Sequence, residues 1–278
     1  MKALLAALAT LLVLGVPAAG ADAKQVSAAR GDVKATLTYA RNTGRYSFGY
    51  RTEKLTISRA DRALYSGVPA IKFCGGSACS PTIGQGRRQP PLIVRDLDGD
   101  SEPEVVYTAY SGGAHCCIVA AFFELSGGGK GYTPVDRVFG NPGFRIEDLN
   151  HDGRPEVVTA DDTFAYRFSP YAFSGLPLLV LRYDHGQFKG ITARFKRRLR
   201  IDAKRFWHAY SGFRGHDEVA ARGQIAAWAA DQYRLGKRGR ALAILRREVR
   251  HGHLSRPGSG AKFIRRVDRF LRKRGYGG

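Results

Sequence analysis

Short stretches with alternating apolar and polar residues occupy the first two thirds of the chain. The alternation is clearest at Val33, Ala35, Leu37, Tyr39, Leu55 and Ile57. A period of two is typical of strands with one buried face. Short β-branched or aromatic runs follow at 103–110, 116–125, 155–162, 164–173 and 176–188. Glycine and proline separate them, and the glycine-rich stretch 126–131 is expected to be a hairpin turn. This pattern predicts a propeller-like or sandwich β-domain.

Helical spacing replaces this alternation in the last part of the chain. One predicted stripe contains Val219, Ala226, Ala229 and Tyr233, and a second contains Leu242, Leu245 and Val249. Two glycines between them, in "RLGKRG", predict a helical hairpin. A third stripe consists of Phe263, Ile264, Val267, Phe270 and Leu271, with Arg and Lys on the opposite side. We expect these stripes to pack against each other or against the β-domain, with a membrane-surface helix as the alternative.

The N-terminal segment has the pattern of a secretory signal. Lys2 precedes an apolar stretch at 3–16, which is short for a membrane span, and small residues follow it. Cleavage is expected after Ala21 or Ala23, and an uncleaved anchor is the alternative. No cysteine stands where a lipoprotein would need one, and no other apolar run reaches spanning length. The mature chain is therefore expected to be secreted or periplasmic, without a transmembrane span.

Charge divides the 278-residue chain near position 189. The formal net charge is +21, and the segment 189–278 holds 25 Lys and Arg against 6 Asp and Glu. We therefore predict a signal peptide at 1–23, a β-rich repeat-like domain at 24–188, and a basic, mostly helical region at 189–278. The predicted fold therefore has a mainly β N-terminal domain that is like a partial or diverged β-propeller. An α-helical C-terminal region follows this domain.

The basic region suggests a polyanion as one partner. Dense cationic runs lie at 194–200 and 272–274, and arginine suits phosphate and sulfate. Candidate partners are an anionic envelope polymer, anionic lipid or extracellular DNA. A protein partner is a further candidate, and nucleic acid is not favoured. The aromatic residues among these cations are Phe195, Phe206, Trp207 and Tyr210. They suit either a binding surface or the core, and a solvated arginine-rich face without a ligand is the alternative.

Four cysteines, Cys74, Cys79, Cys116 and Cys117, are expected to form disulfides in an oxidising compartment. Joining the neighbours Cys116 and Cys117 is disfavoured because it closes a strained ring. Two pairings remain, each linking the Cys74/Cys79 loop to the Cys116-Cys117 pair. A thiolate metal site with His115 is the alternative, although paired CxxC knuckles are absent.

Two acidic stretches, "DLDGDSEPEVV" and "DLNHDGRPEVV", repeat at an offset of 52 residues. In the first, side chains at alternate positions are Asp96, Asp98 and Asp100, followed by the carbonyl of Glu102 and the carboxylate of Glu104. The second has Asp148, Asn150, Asp152, the carbonyl of Arg154, and Glu156. Calcium takes about six to eight oxygen ligands, and such positions in a tight loop converge on one point.

These are not EF-hands, because Tyr107 and Thr159 stand where the twelfth-position glutamate is required. The stretches resemble the calcium loops of FG-GAP and VCBS-type repeats, which belong to integrin-like β-propellers and many exported microbial proteins. The resemblance covers at most residues 90–190. It implies calcium at the matching residues and strand-rich blades around them. Gly153, where the first loop has Ser101, makes the second loop the better candidate.

An enzyme is the remaining class of function. The stretch 110–120 places His115 beside Cys116, a conceivable nucleophile pair, and Asp161 with Asp162 is a candidate acid/base pair. The chain lacks HExxH, GxSxG, P-loop and dinucleotide-binding motifs. We therefore assign no catalytic residues. The sequence favours an exported, calcium-binding, non-catalytic binding or scaffold protein, with a polyanion-binding protein and a secreted hydrolase as alternatives.

Overall fold

A computed structural model of the protein describes residues 23–43, 49–75, 79–84, 90–112, 116–255 and 259–277. Within these residues, three antiparallel sheets occupy the N-terminal part and four α-helices the C-terminal part. This confirms the mainly β region followed by a helical one. Among the described helices, none is both long and apolar enough to cross a bilayer. The predicted signal segment at 1–22 lies outside the described residues.

The first sheet is a four-stranded meander in the order β1-β2-β3-β4. Its strands are β1 (Lys24–Arg30), β2 (Val33–Arg41), β3 (Tyr50–Arg59) and β4 (Arg62–Gly67). The predicted alternation is confirmed for Val33, Ala35, Leu37, Leu55 and Ile57, which are all fully buried. Tyr39, predicted on the same face, is half-buried beside a bulge that shifts the strand register at this point. These side chains form one apolar face, which must be covered by another layer.

The second sheet supplies that layer. It consists of β5 (Ser80–Pro81), β6 (Leu92–Arg95), β7 (Glu104–Tyr110), β8 (Ile118–Leu125) and β9 (Tyr132–Gly140). Strands β5 and β6 follow one another along the same edge of β7, and β8 and β9 complete the meander. The turn at 126–131 joins β8 to β9 as predicted, closed by the Ser126 N–H on the Gly131 carbonyl at 2.8 Å.

Strands β7 and β8 are buried on both faces, which explains their nearly continuous apolar sequences. Val105, Tyr107 and Phe123 point into a core shared with the first sheet. Their neighbours Val106 and Phe122 point into a separate core on the other face. The second sheet is therefore the middle layer of three.

The third sheet is again a four-stranded meander, in the order β10-β11-β12-β13. Its strands are β10 (Phe144–Glu147), β11 (Glu156–Ala160), β12 (Leu178–Asp184) and β13 (Gln187–Gly190). Val157, Leu181 and Tyr183 cover the outer face of the second sheet. In the part of the chain that the structure describes, the sheets form a stack and no closed ring of blades.

The stretch 164–173 is not the strand that its aromatic content predicted. It forms two short 3-10 turns, Asp162–Phe164 and Tyr171–Phe173, between β11 and β12. Phe164 and Phe168 are buried within the helical core instead of facing a sheet. Packing against helices therefore overrides the β propensity of these aromatic residues.

The helical part contains α1 (Lys196–Phe213), α2 (Glu218–Arg234), α3 (Arg238–Arg250) and α4 (Gly260–Lys273). The hairpin α2–α3 and the amphipathic α4 confirm the predicted helical spacing. Helix α1 was not predicted, because its cationic sequence masks a buried stripe of Leu199, Ala203, Phe206 and Tyr210.

Helix α2 departs from the predicted one-sided stripe. It is buried on almost every side through small residues such as Ala226 and Ala229, which allow neighbouring helices to approach closely. Val219, assigned to the buried stripe from its spacing, is 41% exposed instead. Its first-turn neighbours Ala220 and Ala221 are fully buried, so Val219 lies on the side of this turn that faces solvent.

The helical core is joined to the third sheet through a fully buried tyrosine. Tyr276, beyond the end of α4, is 1% exposed and donates its hydroxyl to Asp161 at 2.7 Å. Arg234 on α2 lies over the Tyr276 ring and donates to the Leu178 carbonyl on β12. The sheets and helices are thus packed as one continuous body.

The disulfide pairing differs from the prediction. Cys74 bonds to Cys79, with Cα atoms 5.6 Å apart, and Cys116 bonds to its neighbour Cys117. The expectation of two bridges between these pairs was wrong. The Cα separation of Cys74 and Cys79 already suits a disulfide, and their local pairing leaves Cys116 and Cys117 only one another. All four described cysteines are paired.

Candidate metal centre

The two acidic stretches form equivalent loops between equivalent strands. The first acidic loop, residues 96–104, joins β6 to β7, and the second acidic loop, residues 148–156, joins β10 to β11. Both loops have positive φ at the same two positions. These are Gly99 (83°) and Ser101 (73°) in the first loop, and His151 (59°) and Gly153 (81°) in the second. Ser101 therefore adopts the same left-handed turn as Gly153 does.

Hydrogen bonds within the loops repeat as well. Glu104 Oε2 accepts from the Leu97 N–H at 2.7 Å, and Glu156 Oε2 accepts from the Leu149 N–H at 2.9 Å. Each leading aspartate accepts from the backbone five residues later, Asp96 from Ser101 and Asp148 from Gly153, both at 3.0 Å. Each carboxylate thus holds the turn, and an oxygen with one such bond retains a second lone pair.

Three carboxylates of the first acidic loop converge. One oxygen each of Asp96, Asp98 and Glu104 lies within 4.8 Å of the others. Asp98 is 4% and Glu104 1% exposed. Burial, followed by the nearby carboxylates of Asp98, Glu124 and Asp100, raises the pKa of Glu104 to about 9. In this arrangement Glu104 carries a proton at neutral pH, and a cation would take its place.

Side chains from β8 and from the β12–β13 turn extend this cluster. Asp98, Glu124 at the end of β8, and His185 in the β12–β13 turn form a second group with ligand atoms within 4.8 Å. The Nδ1 atom of His185 lies 2.5 Å from Asp98 Oδ2 and this contact raises the pKa of His185. Tyr183 donates its hydroxyl to Glu124 at 2.6 Å. The first loop is therefore flanked by its own sheet and by the third sheet.

The second acidic loop is paired with a guanidinium. Arg182 on β12 donates to Glu156 at 2.7 Å and to Asp152 at 2.9 Å. Glu156 is completely buried, and hydrogen bonds from Asn150 and from the Arg154 N–H, with Arg182, lower the pKa of Asp152 to about 2. This loop therefore contains a positive charge from the chain itself.

Strand register explains why the two loops differ. Val105 pairs with Phe123 and Val157 pairs with Leu181. One step further along each antiparallel pair, Glu104 stands opposite Glu124, whereas Glu156 stands opposite Arg182. A carboxylate thus occupies in the second sheet the position that a guanidinium occupies in the third.

The two acidic loops also touch one another. A Cβ atom on Gly99 would lie 2.7 Å from Cγ of Arg154, so the Arg154 side chain lies directly over the first loop. Only glycine leaves room for this contact at a position that also has positive φ. The two loops consequently form one acidic edge of the stacked sheets.

Other predicted ligands are more peripheral. Asp100, Asn150 and Asp152 are exposed. The Glu102 side chain turns away to Arg59 of the first sheet at 2.6 Å, which leaves only its carbonyl as a ligand candidate. Sequence reasoning missed Glu124, His185 and Arg182. The sequence pattern indicated these residues only weakly. Glu124 and Arg182 are 58 residues apart, so they do not follow the 52-residue offset that relates the two loops.

The residues considered for catalysis have other roles or are not described. His115 lies outside the described residues, and Cys116 is bonded to Cys117. Asp161 caps the 3-10 turn that follows it by accepting from the Thr163 N–H at 3.1 Å, and it accepts from Tyr276 as well. Burial raises the pKa of Asp162, which packs against Gly140.

Two curated relatives have sequences similar to this chain. The probable thylakoid lumen protein sll0997 of Synechocystis is 39% identical over 103 residues, which are 36% of this chain and 30% of that protein. The uncharacterized protein y4bJ of Sinorhizobium fredii is 30% identical over 135 residues, 48% of this chain and 20% of that protein. This chain thus spans less than a third of either relative. No family model and no solved structure matches it.

Proposed function

We propose that this protein is an exported, non-catalytic scaffold whose stacked sheets bind calcium at the first acidic loop. The observation that carries the proposal is the convergence of Asp96, Asp98 and Glu104, two of them buried. Closely spaced buried carboxylates repel one another unless a proton or a cation neutralises them. Oxygen-only ligands of this kind suit a hard cation such as calcium.

The contrast between the loops supports this assignment. Arg182 neutralises Asp152 and Glu156 in the second acidic loop. The sequence alone had favoured this loop as the calcium site, because it has Gly153 where the first loop has Ser101. The first acidic loop has Glu124 in the equivalent place and so has a surplus of negative charge. Calcium binding at the second loop stays a prediction. The positive charge of Arg182 there favours calcium binding at the first loop instead.

Calcium would act here by holding layers together. Asp96, Asp98, Glu104 and the Glu102 carbonyl would hold the ion from the first loop, with Glu124 close by on β8. His185 joins the same cluster from the third sheet through Asp98. Neutralising the cluster would therefore stabilise the contact between the second and third sheets.

The blade-like interpretation rests on the repeated sheets. The first and third sheets are four-stranded meanders, the second sheet between them has five strands, and the second and third carry equivalent acidic loops. This agrees with the resemblance to FG-GAP and VCBS-type repeats, in which each blade is such a meander. We infer a diverged, open arrangement of blades.

Export is inferred from several features together. The N-terminal segment has a signal-like sequence, the cysteines are paired, and one relative is named a probable thylakoid lumen protein. Disulfides persist mainly in oxidising compartments. The secreted-hydrolase alternative lacks comparable support, because the Cys116 thiol is engaged in a disulfide.

Thermal melting with calcium and with a chelator tests the proposal. Calcium at about a hundred times its Kd stabilises the folded state by about 2.7 kcal/mol. For a chain of this size, that raises Tm by roughly 5–10 °C. We expect this shift in the wild type and its loss in Asp98→Asn.

The matched control is Asp148→Asn in the second acidic loop, which should keep the calcium-dependent shift. Absence of any shift in the wild type would overturn the proposal. A shift lost in Asp148→Asn but kept in Asp98→Asn would place calcium at the second loop instead.

A further inference from the structure

A cationic groove lies between α1, α2 and α3, remote in sequence from the acidic loops. It encloses about 440 Å³. Arg200 and Lys204 line it from α1, and Lys237 and Arg240 line it from the start of α3. All four side chains are exposed. The groove thus has positive charge on both of its sides.

These four cations lack acidic partners within the part of the chain that the structure describes. Neighbouring arginines do have them, as Arg205 pairs with Asp202 and Arg247 with Glu248. Lys237 and Arg240 also stand at the N-terminal end of α3, where the first turn contains no acid. Positive charge is unfavourable at this end of a helix dipole. An anionic ligand would relieve both the mutual repulsion and the unfavourable dipole interaction.

Tryptophans form the floor of the groove. Trp207 and Trp228 line it with ring centroids 5.1 Å apart, and they are the only two tryptophans of the sequence. Trp228 is 6% exposed and Trp207 half-buried. The groove therefore offers an apolar indole surface with cations on either side of it.

This floor suits a sugar ring better than a run of nucleobases. Single-stranded nucleic acid usually binds over successive exposed aromatic rings. Phe206 and Tyr210, the neighbouring aromatic residues of α1, are buried in the core at 2% and 0% exposure. Of these aromatic residues on α1, Trp207 lines the groove and is partly exposed, so the C–H face of one sugar can pack against it.

We propose that this groove binds a linear anionic glycan, a sugar chain carrying carboxylate, sulfate or phosphate groups. One sugar lies against Trp207, and the anionic groups on either side contact Arg200, Lys204, Lys237 and Arg240. Guanidinium groups bind such oxyanions with paired hydrogen bonds. This inference is independent of calcium, since no residue of the acidic loops lines the groove.

Tryptophan fluorescence measures occupancy of this groove directly, because both tryptophans lie in it. The probes are polygalacturonate for carboxylates, heparin for sulfates, and an oligothymidylate of matched charge for nucleic acid. At least one glycan should change the fluorescence and bind more tightly than the oligothymidylate. Raising salt from 50 to 200 mM should weaken its binding by on the order of tenfold to a hundredfold.

Two double charge-reversal variants distinguish glycan binding in this groove from non-specific attraction to the basic surface of the protein. Lys204→Glu with Arg240→Glu should weaken glycan binding more than tenfold. Arg265→Glu with Arg269→Glu makes the same charge change on exposed residues of α4 that line other surface pockets, and should weaken it less than threefold. Circular dichroism checks that both variants fold.

Equal losses in the two variants would overturn the proposal in favour of non-specific attraction. Tighter binding of the oligothymidylate, with strong quenching, would assign the groove to nucleic acid instead. A lack of binding by both glycans at low salt would also overturn it.

Discussion

At the scale of single residues, the residue across the next strand is one of the positions that distinguish the two acidic loops. They share backbone conformation, hydrogen bonds and position in their sheets. They differ in the residue across the next strand, which is Glu124 in one and Arg182 in the other. That exchange decides whether the chain supplies the positive charge itself or leaves it to a proton or an ion. We therefore expect Arg182 to do for Glu156 what the proposed calcium would do for Glu104.

Replacing Arg182 tests this equivalence. Arg182→Gln leaves the buried Glu156 without its charged partner, and removing one partner of a buried pair costs about 3 kcal/mol or more. The loss in the free energy of unfolding is measurable by urea denaturation in a chelator. Calcium should then restore part of the lost stability, because the loop has become acidic like the first one.

The matched control is Arg145→Gln, whose ion pair with Glu147 is 54% and 36% exposed. An exposed pair contributes less than about 1 kcal/mol. Equal losses in both variants, or a lack of calcium rescue in Arg182→Gln, would contradict the equivalence.

At the scale of elements, α2 is unusual in being buried almost all round. Its alanines let the other helices approach, and the helix carries Asp231, a completely buried carboxyl. Neither oxygen of Asp231 has a hydrogen-bond partner within the described residues. Burial, followed by the nearby Asp202, raises the pKa of Asp231 well above its usual value of 3.8. This element is therefore stabilised by packing and weakened by one polar group.

Asp231→Asn should make stability less dependent on pH. In the folded wild type Asp231 keeps a proton that the unfolded chain releases above its usual pKa of 3.8. The free energy of unfolding must therefore fall as pH rises from that value toward the raised folded pKa. Asparagine cannot titrate, so the variant should match the wild type near pH 3 and exceed it at pH 7.

Urea denaturation of both proteins at several pH values measures this difference. The conservative variant Asp217→Asn, at the half-buried N-cap of α2, serves as a comparison. A difference between wild type and Asp231→Asn that stays constant with pH would show that Asp231 is charged in the folded protein.

At the scale of the whole molecule, a few long-range contacts join the sheets to the helices. Tyr276 bonds to Asp161 across 115 positions of sequence, and Asp202 on α1 accepts from the Leu178 N–H on β12 at 2.8 Å. Arg234 adds a contact from α2 to the same strand. These contacts predict that the sheets and helices unfold together.

Shortening Tyr276 tests this coupling. Tyr276→Phe removes the hydroxyl donor to the buried Oδ2 of Asp161, while Thr163 still donates to Oδ1, and should cost about 1–3 kcal/mol. Tyr276→Ala also opens a cavity and should cost about 3–5 kcal/mol. Melting followed by near-ultraviolet and far-ultraviolet circular dichroism should show one transition in the wild type. If sheets and helices melt separately in the wild type, the predicted coupling is wrong.

The sequence by itself determined the local features of this protein. Alternating residues such as Val33, Ala35 and Leu37 specified strands, and helical spacing specified α3 and α4. The repeat at an offset of 52 residues identified two equivalent loops. Each of these depends on neighbours within one element, where the period of side chains fixes which face is buried.

Only the tertiary structure decided which distant groups meet. Strand register places Glu124 opposite Glu104 and Arg182 opposite Glu156. The alternation of side chains along a strand is the same whichever strand it pairs with, so it does not predict these pairs. The local disulfide of Cys74, the buried stripe of α1 and the groove floored by Trp207 likewise depend on packing. These features arise from contacts between elements. The periodic pattern of the sequence shows which side of an element is buried, but it does not identify the residues that will contact that side.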